Sequence, residues 1–125
     1  MIHGMNHFTV IARDLQQTVD FYGLFGLLPG HRPDLGFAGA WLYAQDMPQA
    51  VLHVYGDRAV PEPPAGVIDH MAFSARGLRE VKARLAQAGV RFDLRRQKGA
   101  GTWQLFCLDP NGAKVELDFD PSEAG

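Results

Sequence analysis

Apolar residues in this chain alternate with period two in short runs and recur at helical spacing in two longer ones. The runs follow the same order in both halves of the sequence. Residues 5–12 (MNHFTVIA) are rich in β-branched and aromatic types and predict a strand. After Asp14, an N-cap residue type, Leu15, Val19, Tyr22 and Phe25 recur at helical spacing, and Gly26 is a natural stop. Leu27 and Leu28 open a second strand before the stretch PGHRPDLGFAG. WLYAQ (41–45) predicts a strand, DMPQ (46–49) a turn and AVLHVYG (50–56) a further strand.

Residues 57–66 (DRAVPEPPAG) carry Pro61, Pro63, Pro64 and Gly66 and predict a semi-rigid connector. The pattern then repeats. VIDHMAFSA (67–75) predicts a strand. LREVKARLAQAG (78–89) predicts a helix with Leu78, Val81 and Leu85 on one face and Gly89 at its end. VRFDLRR (90–96), TWQLFCLD (102–109) and AKVELDF (113–119) predict three more strands. QKGAG lies between the first two and the turn signal PNG before the last. The polar tail DPSEAG is expected to fray.

The chain is thus expected to be α+β, a single domain of two βαβββ modules. Module one covers about 4–56 and module two about 67–119, with 57–66 between them. A single helix covers only one face of its sheet, so the other face is left for another purpose. In the last strand Val115, Leu117 and Phe119 point one way and Lys114, Glu116 and Asp118 the other. In 50–56, His53 shares a face with Val51 and Tyr55, opposite Leu52 and Val54.

Polar residues tie this repeat to chemistry. His7 and His70 are 63 residues apart, and so are His53 and Glu116. At that offset, laid without gaps, ten identities fall within residues 7–55, among them Gly26 with Gly89 and Leu42 with Leu105. Such self-similarity marks paired supersecondary units. Taken singly, each histidine is an ordinary strand residue. Glu116, flanked by Lys114 and Asp118, is by itself a solvated carboxylate. Two pairs of metal-ligating types at one repeat offset point instead to a shared site.

Composition narrows the rest. At 125 residues the chain can build one real core. A net charge of −2 gives no reason to invoke nucleic acid or an anionic membrane. No apolar run reaches the length of a membrane span, and the N-terminus lacks the basic-then-apolar order of a secretory signal. Cys107 is alone in the apolar run LFCL, which excludes an internal disulfide, suits a reducing cytoplasm and reads as a core residue.

The motifs NHFTV, DLQQTVDFYGLFGL, DHMAF and above all LDPNGAKVELDF resemble the vicinal-oxygen-chelate superfamily. That group includes glyoxalase I, methylmalonyl-CoA epimerase, fosfomycin-resistance thiol transferases, bleomycin-resistance proteins and extradiol dioxygenases. The resemblance spans about residues 4–119. It implies a cupped mixed sheet around a divalent metal, with His7, His53, His70 and Glu116 at the ligand positions. It also implies a small-molecule substrate and homodimeric pairing. The position of His53 varies within the superfamily, so that residue is either a ligand or an acid–base group.

Imidazoles with one carboxylate suit Zn²⁺, Ni²⁺, Fe²⁺, Co²⁺ or Mn²⁺ rather than Ca²⁺ or Mg²⁺. The reaction implied first is that of a lyase or isomerase. Its substrate chelates the metal through vicinal oxygens and passes through an enediolate, with Glu116 or His53 moving the proton. An Fe²⁺ extradiol-dioxygenase-like activity is the alternative, although Phe106 stands where ring-cleaving relatives carry tyrosine. A non-enzymatic drug binder of the bleomycin-resistance kind is another, set against by the complete ligand set. For a fosfomycin-resistance activity the expected basic residues near the C-terminus are missing. Weaker substrate candidates are Tyr55 on the His53 face, Thr9 on the His7 face, and Arg95 with Lys98. The last two belong to a basic cluster with Arg96 that reads either as a solvated strand end or as an anion clamp. His31, in a loop with Arg32, reads either as an ordinary loop residue or as a substrate contact, and His3 reads as a surface residue.

Overall fold

A computed structural model describes residues 1–64, 66 and 68–125. The chain divides into two compact units, Met1–Pro64 and Ala65–Gly125. The expected connector and the expected strand at 67–75 each include one residue, Ala65 and Val67, that lies outside the described set.

The first unit runs β1 (Phe8–Ile11), α1 (Leu15–Gly23), β2 (Leu28–Pro29), β3 (Gly39–Tyr43) and β4 (Leu52–Tyr55). The second runs β5 (Met71–Ser74), α2 (Leu78–Gln87), β6 (Phe92–Arg96), β7 (Trp103–Leu108) and β8 (Lys114–Phe119). Each unit has a four-stranded mixed sheet, ordered β1-β4-β3-β2 in one and β5-β8-β7-β6 in the other. β1 pairs with β4 and β5 with β8 in parallel, whereas the remaining pairs are antiparallel. This is the expected βαβββ module, twice.

The two sheets agree in one register and differ in another. Thr9 faces His53 across the parallel pair, and Ala72 faces Glu116, so the 63-residue offset holds there. Across the antiparallel pair, Trp41 faces His53 but Phe106 faces Glu116. The counterpart of Trp41 is therefore Phe106, not Gln104, and β7 is displaced by two residues relative to the ungapped repeat. A two-residue shift leaves every side chain on its own face, because the strand period is two. The ungapped match of Leu42 with Leu105 thus pairs positions that are not equivalent; Cys107 is the true counterpart of Leu42.

Each core lies on one sheet face. Val10, Leu42, Leu52 and Val54 are buried in the first unit, and Leu105, Cys107, Val115, Leu117 and Phe119 in the second. Asp14 caps α1, its side chain accepting from the Gln17 N–H at 2.9 Å. The buried stripe of α1 is Thr18, Phe21 and Tyr22. It is rotated from the expected one: Leu15, Val19 and Phe25 are only half-buried, and the small Thr18 lets the helix approach its sheet. In α2 the expected Leu78, Val81 and Leu85 are buried. Gly26 and Gly89, which follow the helices at equivalent places, have φ of 86° and 70°, a conformation that favours glycine.

The tail corrects an expectation. It does not fray. Gly77, at the N-cap of α2, has no side chain to offer, and Glu123 takes over: its carboxylate accepts the N–H of Leu78 at 2.7 Å and of Gly77 at 3.1 Å. The indole of Trp103 donates to the Glu123 carbonyl at 2.8 Å. Arg96 donates to the Pro121 and Gly101 carbonyls and lies 4.1 Å over the Trp103 ring. Among the described residues no helix is long and apolar enough to cross a membrane.

Candidate metal centre

β1 and β5 are shorter than expected, so His7 and His70 stand immediately before their strands rather than within them. Both are held in the same way. His7 Nδ1 is 2.6 Å from Asn6 Oδ1, and His70 Nδ1 is 2.7 Å from Asp69 Oδ2. Asn6 and Asp69 are themselves repeat partners. With the proton on Nδ1 donated to the preceding side chain, Nε2 is the nitrogen left to bind a ligand. This is the usual device for orienting a metal-binding imidazole. The Asn6 backbone is anchored in turn, its carbonyl accepting from Gln49 Nε2 at 3.1 Å.

In the first unit three rings lie nearly parallel. His53 stacks on His7, with centroids 3.7 Å apart and planes at 13°. Its other face stacks on Trp41, at 4.3 Å and 10°. Burial first, then the positive fields of His7 and Arg32, holds the His53 imidazole below its ordinary pKa. A neutral imidazole keeps the lone pair that metal binding or base catalysis needs.

In the second unit His70 Nε2 is 2.7 Å from Glu116 Oε2. Glu116 is buried, on the sheet face away from the apolar core. It is thus not the solvated strand carboxylate that its neighbours suggest. Gln104 Nε2 donates to its other oxygen at 2.6 Å. Burial, then the hydrogen bond and like charge of Glu116, pushes the Asp118 carboxyl above its ordinary range. Asp118 Oδ1 is buried without a hydrogen-bond partner. A buried carboxylate beside a half-buried one that has an orphaned oxygen, next to an imidazole, is a setting that a cation relieves. The donor set, imidazole nitrogen and carboxylate oxygen, fits a divalent ion of the borderline class.

Sequence reasoning missed several residues here. Asn6 and Asp69 were visible as an Asn-His and an Asp-His dipeptide at the repeat offset. Gln104 and the counterpart relation of Trp41 and Phe106 were hidden by the two-residue shift. Phe106 lies edge-on to His70 at 6.0 Å, between two cations, with Arg95 at 4.8 Å and Lys114 at 5.1 Å. Lys114 also reaches Asp69 at 3.5 Å.

The weaker candidates divide. Thr9 is exposed beside His53 in register. Tyr55 shares the His53 face and meets Phe37 edge-on at 5.2 Å. Arg95 bonds Asp93 at 2.7 Å as well as covering Phe106. Lys98 is exposed on the turn after β6, and Arg96 is committed to the tail. His31 offers its carbonyl to the Tyr43 hydroxyl at 2.7 Å, and His3 is exposed. The structure thus brings His7 to His53 and His70 to Glu116, each pair within its own unit. Among the described residues no group of three or more His, Cys, Asp or Glu side chains is placed to hold one metal ion.

The profile of the Glyoxalase/Bleomycin resistance protein/Dioxygenase superfamily matches residues 4–117. The chain is 32% identical over 120 residues to the glutathione transferase FosA of Serratia marcescens, covering 94% of this chain and 81% of that one. Its fold is similar to a glyoxalase family protein from Enterococcus faecalis, with TM-score 0.65, 27% identity and coverage of 92% and 96%. It is also similar to the fosfomycin resistance protein FosX of Listeria monocytogenes in complex with Mn(II) and 1S,2S-dihydroxypropylphosphonic acid. That match has TM-score 0.75 at 19% identity, covering 96% and 94%.

Proposed function

The chain belongs to the Glyoxalase/Bleomycin resistance protein/Dioxygenase superfamily, and on that footing we propose that it is a divalent-metal-dependent enzyme acting on a small molecule with vicinal oxygens. His7, His70 and Glu116 are the ligands in this reading, and His53 is a fourth ligand or the group that moves a proton. The observation that carries it is the doubled clamp, in which the residue before each histidine ties down Nδ1 and turns Nε2 toward the other candidate ligands, in His70 toward Glu116 Oε2 at 2.7 Å. A bound ion of the Zn²⁺, Ni²⁺, Fe²⁺, Co²⁺ or Mn²⁺ class would supply Lewis acidity to the substrate's oxygens.

The chain's own residues supply the rest. Trp41 and His7 fix the plane of His53, whose lowered pKa favours the neutral ring that can accept a proton at a ring nitrogen. Gln104 holds one oxygen of Glu116 and leaves the other facing His70. Both units belong to one glyoxalase-like domain in this reading, and two chains pair as a homodimer in the cytoplasm. The test is metal loading of the purified full chain. We expect about one Mn²⁺ or Zn²⁺ per chain, lost in His7→Ala, His70→Ala and Glu116→Ala. Sedimentation should give twice the chain mass. Failure to retain any of the five metals would sink the reading.

A second reading is favoured by the identity with FosA, a glutathione transferase. It is addition of a thiol to a small oxygenated anion. Consumption of glutathione with an epoxide phosphonate, in Mn²⁺-loaded protein, distinguishes it from isomerase or lyase chemistry. Ring cleavage is less well supported, because the residue across from Glu116 is Phe106, which has no hydroxyl to offer.

A further inference from the structure

The His53 face of the first sheet carries a second group of residues. Arg32 is half-buried in the loop between β2 and β3, and its Nη2 donates to the Phe37 carbonyl at 3.1 Å. Its guanidinium lies 5.0 Å from the centre of the Phe37 ring. Arg58, just after β4, covers the same ring at 4.9 Å and the Tyr55 ring at 4.6 Å. Phe37 and Tyr55 meet edge to face at 5.2 Å, closing the group.

Room is made for Arg32 by a glycine. Gly39 faces Tyr55 in register and shares the face of Trp41 and His53. A Cβ there would come within 2.7 Å of Arg32 Nη2 and 2.5 Å of the Val54 carbonyl. Arg32 therefore lies flat on the sheet where any larger residue would lift it. The loop that carries it is braced by Tyr43 on the His31 carbonyl and by Asp34 Oδ1, which accepts the Gly36 N–H at 3.0 Å.

Among the described residues no carboxylate is within ion-pair distance of Arg32 or Arg58. Arg13, by contrast, pairs with Glu62, Arg84 with Glu80 and Arg95 with Asp93. A guanidinium has five donors in a planar fork. Arg32 commits one of them to Phe37 and rests on an aromatic plane, so the others are available to an oxyanion.

We propose that Arg32 and Arg58, walled by Phe37 and Tyr55, recognise a carboxylate, phosphate or phosphonate group carried by the small molecule that reaches the His53 face. The site takes a substrate with an anionic head and an apolar or aromatic body. As a substrate subsite it rests on the enzyme reading above, but the binding it predicts does not require the metal.

The test uses EDTA-treated full-length protein with phenylphosphonate, benzoate and the neutral benzyl alcohol as probes, followed by calorimetry and ligand-observed NMR. We expect the two anions to bind and benzyl alcohol to bind at least tenfold more weakly. Arg32→Gln and Arg58→Gln should each weaken anion binding about tenfold, Arg32→Lys less, and 0.5 M NaCl should weaken it in the parent. Arg91→Gln, an exposed control outside the group, should change nothing. Preference for phenylphosphonate over benzoate would assign a phosphorus oxyanion, and the reverse a carboxylate; either supports the site. Mn²⁺ binding measured on the same variants by EPR should be retained. Loss of metal binding in the parent with anion binding intact would break only the enzyme reading. Anion binding that is absent, or unchanged in both Arg→Gln variants, would overturn this proposal.

Discussion

His70 Nε2 and Glu116 Oε2 lie 2.7 Å apart, and the glutamate side chain is only 7% exposed while that of the histidine is about a third exposed. The pair is asymmetric in consequence. Removing His70 leaves a buried carboxylate with Gln104 as its main partner, whereas removing the charge of Glu116 leaves a half-exposed imidazole that water can serve.

In metal-free protein, His70→Ala should therefore cost more stability than Glu116→Gln. A fully buried pair broken on one side costs about 3–5 kcal/mol. The exposure of His70 reduces this to about 1–2 kcal/mol. Urea denaturation in EDTA measures both variants, and an equal or reversed order would refute the asymmetry.

The clamps on Nδ1 predict a graded effect on metal binding. Asn6→Ala and Asp69→Ala keep every proposed ligand and remove the group that orients the ring, in the case of Asp69 together with an exposed contact to Lys114. Each should weaken Mn²⁺ or Zn²⁺ binding about 10–100-fold, the usual consequence of losing such a partner. His7→Ala and His70→Ala should be worse. Clamp variants that bind metal like the parent would show that Asn6 and Asp69 are surface decoration.

Much of this was legible in the sequence. Val115, Leu117 and Phe119 alternate with Lys114, Glu116 and Asp118, and the strand period alone assigns their faces. Leu78, Val81 and Leu85 mark the buried stripe of α2 because they are its only large apolar residues, the rest being charged residues, alanine and glutamine. In α1 the polar Thr18 lies in the core, and a pattern read from apolar residues passes over it. The register of β7 was not legible, because a displacement of two residues preserves the alternation and leaves no trace in it. The burial of Glu116 depends on Gln104 and His70, partners 12 and 46 positions away in sequence. The cap on α2 was hidden for a related reason: it is supplied from the other end of the unit.

That cap makes the tail a stability element. Glu123→Gln keeps the size but loses the charge at the α2 N-terminus, and should cost about 0.5–2 kcal/mol. Ending the chain after Asp120 should cost more, because the Trp103 indole and Arg96 lose their carbonyl partners as well. Chemical denaturation measures both, and hydrogen exchange should locate the loss in the first turn of α2. Protection unchanged in that turn would contradict the role.

Cys107 predicts a pH dependence. Burial first, then the negative charge of Asp109, pushes its thiol from 9.0 up to about 11. The native chain thus holds the proton over a range where the unfolded chain releases it. Stability from this source is fully present below about pH 9 and is lost as pH rises toward 11. Two pKa units correspond to about 2–3 kcal/mol, for a side chain that is almost fully buried. Other groups also titrate there, so the readout is a difference. Between pH 8 and pH 11 the parent should lose about 2–3 kcal/mol more than Cys107→Ala, whose lower starting stability reflects only the missing sulfur. Iodoacetamide should modify the native thiol far more slowly than the urea-unfolded one at pH 8.5. Parallel stability curves, or rapid native alkylation, would show that the thiol is not held in the core as the structure places it.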